Sequence, residues 1–300
     1  MLLSRRLTPK IILYGLAANF SLWLISHIPF VLGWTPRLII FESAVTTLFL
    51  FWAYLFALVL NLEIASEYKD AQLLRISWLA LTANAGISGI KIIIESKLFD
   101  QIWEGYSSGY FFGLIQHIAI VPANICLLIG LLAMGWSYHQ IGLGFSIEKR
   151  DYLPVAGLFL LIMLTFVYRE GLTQAQSPYL MGRYLQLLGL FLLALCAAAS
   201  LVLHRMARQM DGGKLAIALR MLAFYTLLRG VLVLVDALRE LDLPEFSGFD
   251  RIPAFIISLG WQAVPWLAAL AAAYRGEMTV QAAEELKQKR AANAELASVL

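Results

Sequence analysis

Asn84-Ala85-Gly86-Ile87-Ser88-Gly89-Ile90-Lys91-Ile92-Ile93-Ile94-Glu95 places Asn84, Ser88, Lys91 and Glu95 at successive steps of four, three and four residues. On an α-helix that spacing aligns the four side chains along one face. The residues between them are Ala, Gly and Ile, so the stripe interrupts a helix otherwise suited to lipid. An ammonium and a carboxylate inside a membrane span each cost about 2.5–3.5 kcal/mol on insertion scales. They persist where they face a protein interior or a wet cavity, and the rest of the chain is expected to be built around such a cavity.

The composition agrees with a membrane setting. Of 300 residues, 60% are hydrophobic and 14% are charged, against roughly 25% charged in soluble domains. About 20 apolar residues cross the hydrocarbon core. Segments of that kind fall at roughly 11–33, 38–61, 75–96, 109–136, 153–171, 179–204, 214–239 and 252–274. The expected fold is all-α: a polytopic membrane helix bundle of about eight transmembrane helices, occupying 1–275, followed by a cytoplasmic helix over 276–300. Pro122 inside the fourth segment predicts a kink or tilt. Short connections carry turn residues, as in Trp34-Thr35-Pro36, Gln176-Ser177-Pro178 and Asp211-Gly212-Gly213. The basic start, Met1 to Lys10, runs directly into a full-length apolar segment, as in an uncleaved first helix. Cys126 and Cys196 lie mid-span and read as small apolar fillers, not as a disulfide framework.

Lys and Arg orient the chain. One alternating side holds Arg5, Arg6, Lys10, Lys69, Arg75, Lys149, Arg150, Arg205, Arg208, Lys214, Arg275, Lys287, Lys289 and Arg290. The other holds Arg37, Lys97, Arg169, Arg183, Arg239 and Arg251, with the aromatic residues Trp34, Trp103, Tyr106, Tyr110, Tyr179 and Phe249. This bias predicts an inner-membrane protein with both termini in the cytoplasm, and an odd number of spans would spoil it.

Depth along each span gathers further polar residues. Counting from the helix ends at about 1.5 Å per residue, Ser88, Lys91 and Glu95 of the third span lie from just outside the midplane outward. His27, Glu42, His117, Arg229, Asp236 and Gln262 fall in the same outer half of their own spans. Tyr225, Arg229 and Asp236 share a helix face. The expected site is therefore an outer-half polar pocket lined by Ser88, Lys91, Glu95, His117, Arg229, Asp236, Gln262, Glu42 and His27, closed toward the cytoplasm. A lysine with an arginine there would bind a carboxylate, a phosphate or another anionic head group. Histidines beside carboxylates would make the site pH-sensitive. Each charge also has a structural alternative, such as an intrahelical Lys91–Glu95 pair or an Arg229–Asp236 clasp.

Enzymatic chemistry finds little footing. Gly86-Ile87-Ser88-Gly89 matches the G-x-S-G of rhomboid-type intramembrane proteases. His117, however, is followed by Ile118-Ala119-Ile120 rather than by the small residues around that family's base. The glycines read instead as permitting close helix packing. The chain has no H-E-x-x-H, no Cys/His metal cluster and no Gly-rich phosphate loop. No cofactor is expected, and the dispersed basic residues do not predict nucleic-acid binding.

Beyond Arg275 the chain becomes rich in Ala, Glu and Lys. Thr279, Leu286, Asn293 and Leu300 recur every seven residues, with Ala282, Lys289 and Leu296 at the intervening seam positions. Buried Asn in such a seam sets register in a dimer, so a homodimer through this helix is expected. Ala283-Glu284-Glu285-Leu286-Lys287, within Gly276 to Leu300, looks like a signalling helix. The whole layout resembles the multi-pass N-terminal sensor modules of bacterial histidine kinases and diguanylate cyclases. That resemblance implies a receptor whose pocket takes a ligand, a membrane lipid or a proton, and whose kinase or cyclase output domain lies past Leu300. A secondary transporter of a small anionic or amphipathic solute is the rival expectation. Asn19, Asn84 and Asn124 near the midplane keep it open.

Overall fold

The computed structural model describes residues 7–31, 37–95, 109–140, 142, 157, 180–210, 212–239 and 256–278, with only the backbone described toward several helix ends. Seven helices and no strand are found among them: α1 Pro9–Val31, α2 Arg37–Glu67, α3 Gln72–Glu95, α4 Gly109–Gln140, α5 Leu180–Gln209, α6 Lys214–Arg239 and α7 Ile256–Met278. Six of these, α2 to α7, are long and apolar enough to cross a membrane; within α1 the described apolar stretch is the shorter Pro9–Ile25. The protein is therefore all-helical and multi-pass by length and composition. Of the segment at 153–171 only Gly157 is described, so an eighth helix there lies outside the described residues, as does the tail from 279 to 300.

Local chemistry sets several helix ends. Pro9 opens α1, where its missing N–H is no loss, and the Thr8 carbonyl accepts from the Ile11 and Ile12 amides. Gly142 follows α4 with φ 96° and donates its amide to the His139 carbonyl. Gly212 follows α5 with φ 73°. Both occupy the left-handed region, where a glycine costs least as a helix C-cap. Pro122 sits inside α4 without breaking it.

Helices adjacent in sequence pack on one another: α1 on α2, α2 on α3, α3 on α4, α4 on α5 and α5 on α6. The last helix closes the circuit. It meets α1 at Gly15 and Trp266, α2 at Phe56 and Trp266, and α6 at Leu232 and Gly260. Paired contacts give the directions. Asn19 faces Gln262 while Trp23 faces Ser258, so α1 and α7 are antiparallel. Phe56 meets Trp266 while Tyr68 meets Arg275, so α2 and α7 are parallel.

One pair departs from simple alternation. Ile120 and Asn124 lie against Gly189, Cys196 bonds Asn124, and Leu131 to Trp136 share a groove with Ala199 and Val202. Residue numbers rise together, so α4 and α5 run in parallel. Because α1 and α7 are antiparallel, Pro9 and Met278 lie at one end of the bundle, called basal below. Lys10, Lys69, Arg75, Arg205, Arg208, Lys214 and Arg275 are at that end.

The outside of the bundle is as apolar as its core, which includes Trp23, Leu60, Leu127, Leu203 and Trp266. Tyr14 is 73% exposed, Ile25 66% and Ile256 60%, and Trp52, Leu132, Trp136 and Phe224 also face outward. The interior holds Asn19, Asn61, Asn84, Asn124, Ser77, Ser88, Ser200, Thr226 and Arg229 among alanines. This is the expected distribution where lipid solvates large apolar groups and small or polar residues join the helices. Cys126 and Cys196 are free thiols.

Candidate functional site

The site grows from one turn of α6. Tyr225 and Arg229 stand four residues apart, and Arg229 Nη1 donates to Tyr225 Oη at 2.9 Å. That hydroxyl donates in turn to Asn84 Oδ1 on α3 at 2.9 Å. Asn84 Nδ2 then donates to the Ala123 carbonyl on α4 at 2.7 Å. The next residue, Asn124, donates to the Gly189 carbonyl on α5 at 2.9 Å. Side-chain bonds thus join α6, α3, α4 and α5 across the bundle at mid-depth, where bulk water cannot satisfy the groups.

Arg229 is the exceptional member. It is 6% exposed and lies roughly 8 Å from the middle of its membrane segment, on the side away from the basal end. Tyr54 of α2 and Cys196 of α5 lie within its electrostatic reach. Among the described residues no carboxylate pairs with it, and its hydrogen bond is to a neutral phenol. A guanidinium carries five donors and cannot shed its proton. Burying such a group inside the bundle with no counter-charge among the described residues costs several kcal/mol.

The other expected site residues divide into two groups. Ser88 is buried, 4% exposed, and its hydroxyl has no hydrogen-bond partner among the described residues. Lys91 is half-buried farther along the same helix. Gln262 is drawn into a different contact: its Oε1 accepts from Asn19 Nδ2 at 3.1 Å, tying α7 to α1. His27, Glu42, Glu95, His117 and Asp236 lie on α1, α2, α3, α4 and α6, but their side chains lie outside the described residues. Gly86 and Gly89 take the packing role expected of them, since a Cβ at Gly89 would sit 3.3 Å from Tyr54 Cβ and one at Gly86 3.2 Å from Leu58 Cδ1, both on α2.

Neither of two cavities is lined by any of the nine expected residues. One, of about 10 Å³, lies between α2, α3, α6 and α7 and is walled by Asn61, Trp78, Leu81, Asn84, Ala85, Leu222, Tyr225, Ala268 and Ala271. The other, about 380 Å³, is an apolar groove between α4 and α5 nearer the basal end. No group of three or more metal-binding side chains occurs among the described residues.

Sequence reasoning placed Asn84 on its stripe and Tyr225 beside Arg229, yet did not join them. The helical period was the available signal for Tyr225 and Arg229; nothing in the sequence pairs α3 with α6. Also unforeseen was a second polar contact at the basal end. Arg275 Nε donates to Tyr68 Oη at 3.0 Å, with its guanidinium carbon 5.1 Å from the centre of the Tyr68 ring. Nearby, Lys214 Nζ pairs with Glu277 at 2.9 Å.

What these features define is a multi-pass helical membrane protein with a buried arginine that has no carboxylate partner among the described residues. No protein-family model, no curated protein and no solved structure matches the chain.

Proposed function

We propose that this chain is the membrane-embedded sensing part of a signalling protein. In this reading a carboxylate, a phosphate or an anionic lipid head group engages Arg229 in the half of the bundle away from the basal end, and the resulting shift in packing passes to α7. The carrying observation is the buried guanidinium with no carboxylate partner among the described residues. An anion that neutralises it binds one arrangement of the bundle better than another, and such a difference in affinity is what moves a conformational equilibrium. Ser88 and Lys91 on α3, with Glu42, Glu95, His27, His117 and Asp236, would complete the recognition surface.

Two arguments support the topology that goes with this reading. The parallel course of α4 and α5 supports a return across the membrane between them, and 153–171 is the apolar run available for it. With that run the reading has eight spans. The basic side chains at the basal end support a cytoplasmic location for Pro9 and Met278 by the positive-inside rule, in a bacterial inner membrane. The tail after Met278 would pair with a second copy and carry the signal to an output domain. Transport of a small anionic solute is the second reading, favoured by polar side chains at mid-depth. Against it, Asn19, Asn84 and Asn124 are each committed to a bond between helices.

The test uses the full chain in nanodiscs. Acetate, inorganic phosphate and phosphatidylglycerol are titrated against its thermal unfolding. At least one should raise the unfolding temperature of the native protein and leave Arg229→Met unmoved; no response from any of the three removes the reading. In a background of Cys126→Ala and Cys196→Ala, cysteines at Ser88 and Lys91 should react with an impermeant thiol reagent from the non-basal side alone. Labelling from both sides favours transport.

A further inference from the structure

The small cavity between α2, α3, α6 and α7 has a polar wall that the helix contacts do not use up. Trp78 is 2% exposed and its indole N–H has no hydrogen-bond partner among the described residues. Asn61 is 5% exposed and lines the cavity with its amide available to it. Tyr225 Oη, having accepted from Arg229 and donated to Asn84, retains one lone pair. Asn84 retains a lone pair on Oδ1 and one N–H. The remaining wall is apolar: Leu81, Ala85, Leu222, Ala268 and Ala271. Buried polar groups in proteins are satisfied with few exceptions, and an unpaired one costs about 1–3 kcal/mol.

We propose that this cavity is the binding site of one ordered water molecule that joins α2 to the Arg229–Tyr225–Asn84 chain. Its size of about 10 Å³ matches the roughly 10–15 Å³ that a single water occupies on this measure. Its chemistry matches as well. Water accepts from the Trp78 N–H and donates to Asn61 Oδ1 and to the Tyr225 or Asn84 oxygen, three bonds in all, the usual number for an internal water. A cation is excluded, because the indole can only donate and no carboxylate lines the wall. Chloride is larger than water, and the cavity has room for only one water. With the water in place, four helices share one hydrogen-bonded chain, from Arg229 in the half away from the basal end to Trp78 in the basal half. The site does not depend on what Arg229 binds.

X-ray hydroxyl-radical footprinting of the full chain in nanodiscs tests this, because radicals form from ordered internal waters and mark the side chains beside them. Trp78 and Tyr225 should be modified severalfold faster than Trp266, which is 1% exposed and does not line the cavity. After rapid mixing with H2(18)O, the label at Trp78 should lag behind that at exposed Trp136. Asn61→Leu, or the milder Ala271→Ser that supplies a hydroxyl oxygen in place of the water, should reduce Trp78 modification to the level of Trp266. Equal modification of Trp78 and Trp266 in the native protein overturns the proposal. So does modification of Trp78 that survives both substitutions.

Discussion

Tyr225 holds Arg229 with one lone pair and Asn84 with its proton. Tyr225→Phe removes both bonds while keeping the ring, and leaves a guanidinium donor and an amide oxygen buried. Bonds to charged groups contribute about 1.5–3 kcal/mol, and neutral ones between membrane helices about 0.6 kcal/mol. The variant should therefore lose about 2 kcal/mol, read as a lowered unfolding temperature in nanodiscs. Thr226→Val is the control: among the described residues its hydroxyl bonds the Leu222 carbonyl of its own helix, and it should change the temperature little. Arg229 should behave in the opposite sense. Burying the guanidinium costs several kcal/mol, more than the about 1.5–3 kcal/mol returned by its bond to Tyr225, so an apolar chain of similar length is expected to be neutral or stabilising. Arg229→Met should thus unfold no earlier than the native protein while losing its response to anions. A marked loss of stability would instead assign Arg229 a structural role.

Among the elements, α7 is gripped near its two ends. Asn19 and Trp23 of α1 hold Gln262 and Ser258, while Tyr68 and Lys214 hold Arg275 and Glu277. Between them α1 approaches so closely that a Cβ at Gly15 would lie 2.4 Å from the Trp266 ring. The indole is rigid and 1% exposed, so the backbone must give way instead. Gly15→Ala should cost about 1–3 kcal/mol, the range for overpacking a core. It should also lower the yield of a short thiol cross-linker between Asn19→Cys and Gln262→Cys; an unchanged yield would mean that α1 and α7 do not meet there. Gly15 is a residue whose importance no sequence pattern announced. The periodicity of α1 says which face is apolar, but not that a tryptophan from the far end of the chain presses on it.

Over the whole molecule the arrangement of α4 and α5 carries the topology. Because the two helices run in parallel, Gly142, just past the end of α4, and Leu180, at the start of α5, lie at opposite ends of the bundle. Single cysteines at these two positions should react with an impermeant reagent from opposite sides of the membrane, with Gly142 on the side of Gly212. Reaction from one side would overturn the parallel pair and the eight-span reading together. The conversion of alternating Lys and Arg into sidedness rests on the same geometry: Lys10, Arg75, Lys214 and Arg275 come together at one end only because the helices reverse as they do.

Apolar length and low charge by themselves determined that this chain forms membrane helices, and helical spacing determined that Asn84 and Ser88 share a face, as do Tyr225 and Arg229. These are properties of single segments, governed by a period of 3.6 residues and the thickness of a bilayer. Contacts between segments were decided by tertiary structure alone. Gln262, expected in the pocket, went to Asn19; Asn84, read as part of a stripe, became the acceptor for Tyr225; Gly15 became the seat of Trp266. The physical reason is that lipid is as apolar as the side chains facing it. Burial therefore does little to choose partners between helices, and the choice falls to close packing and to individual hydrogen bonds, which depend on where both helices stand.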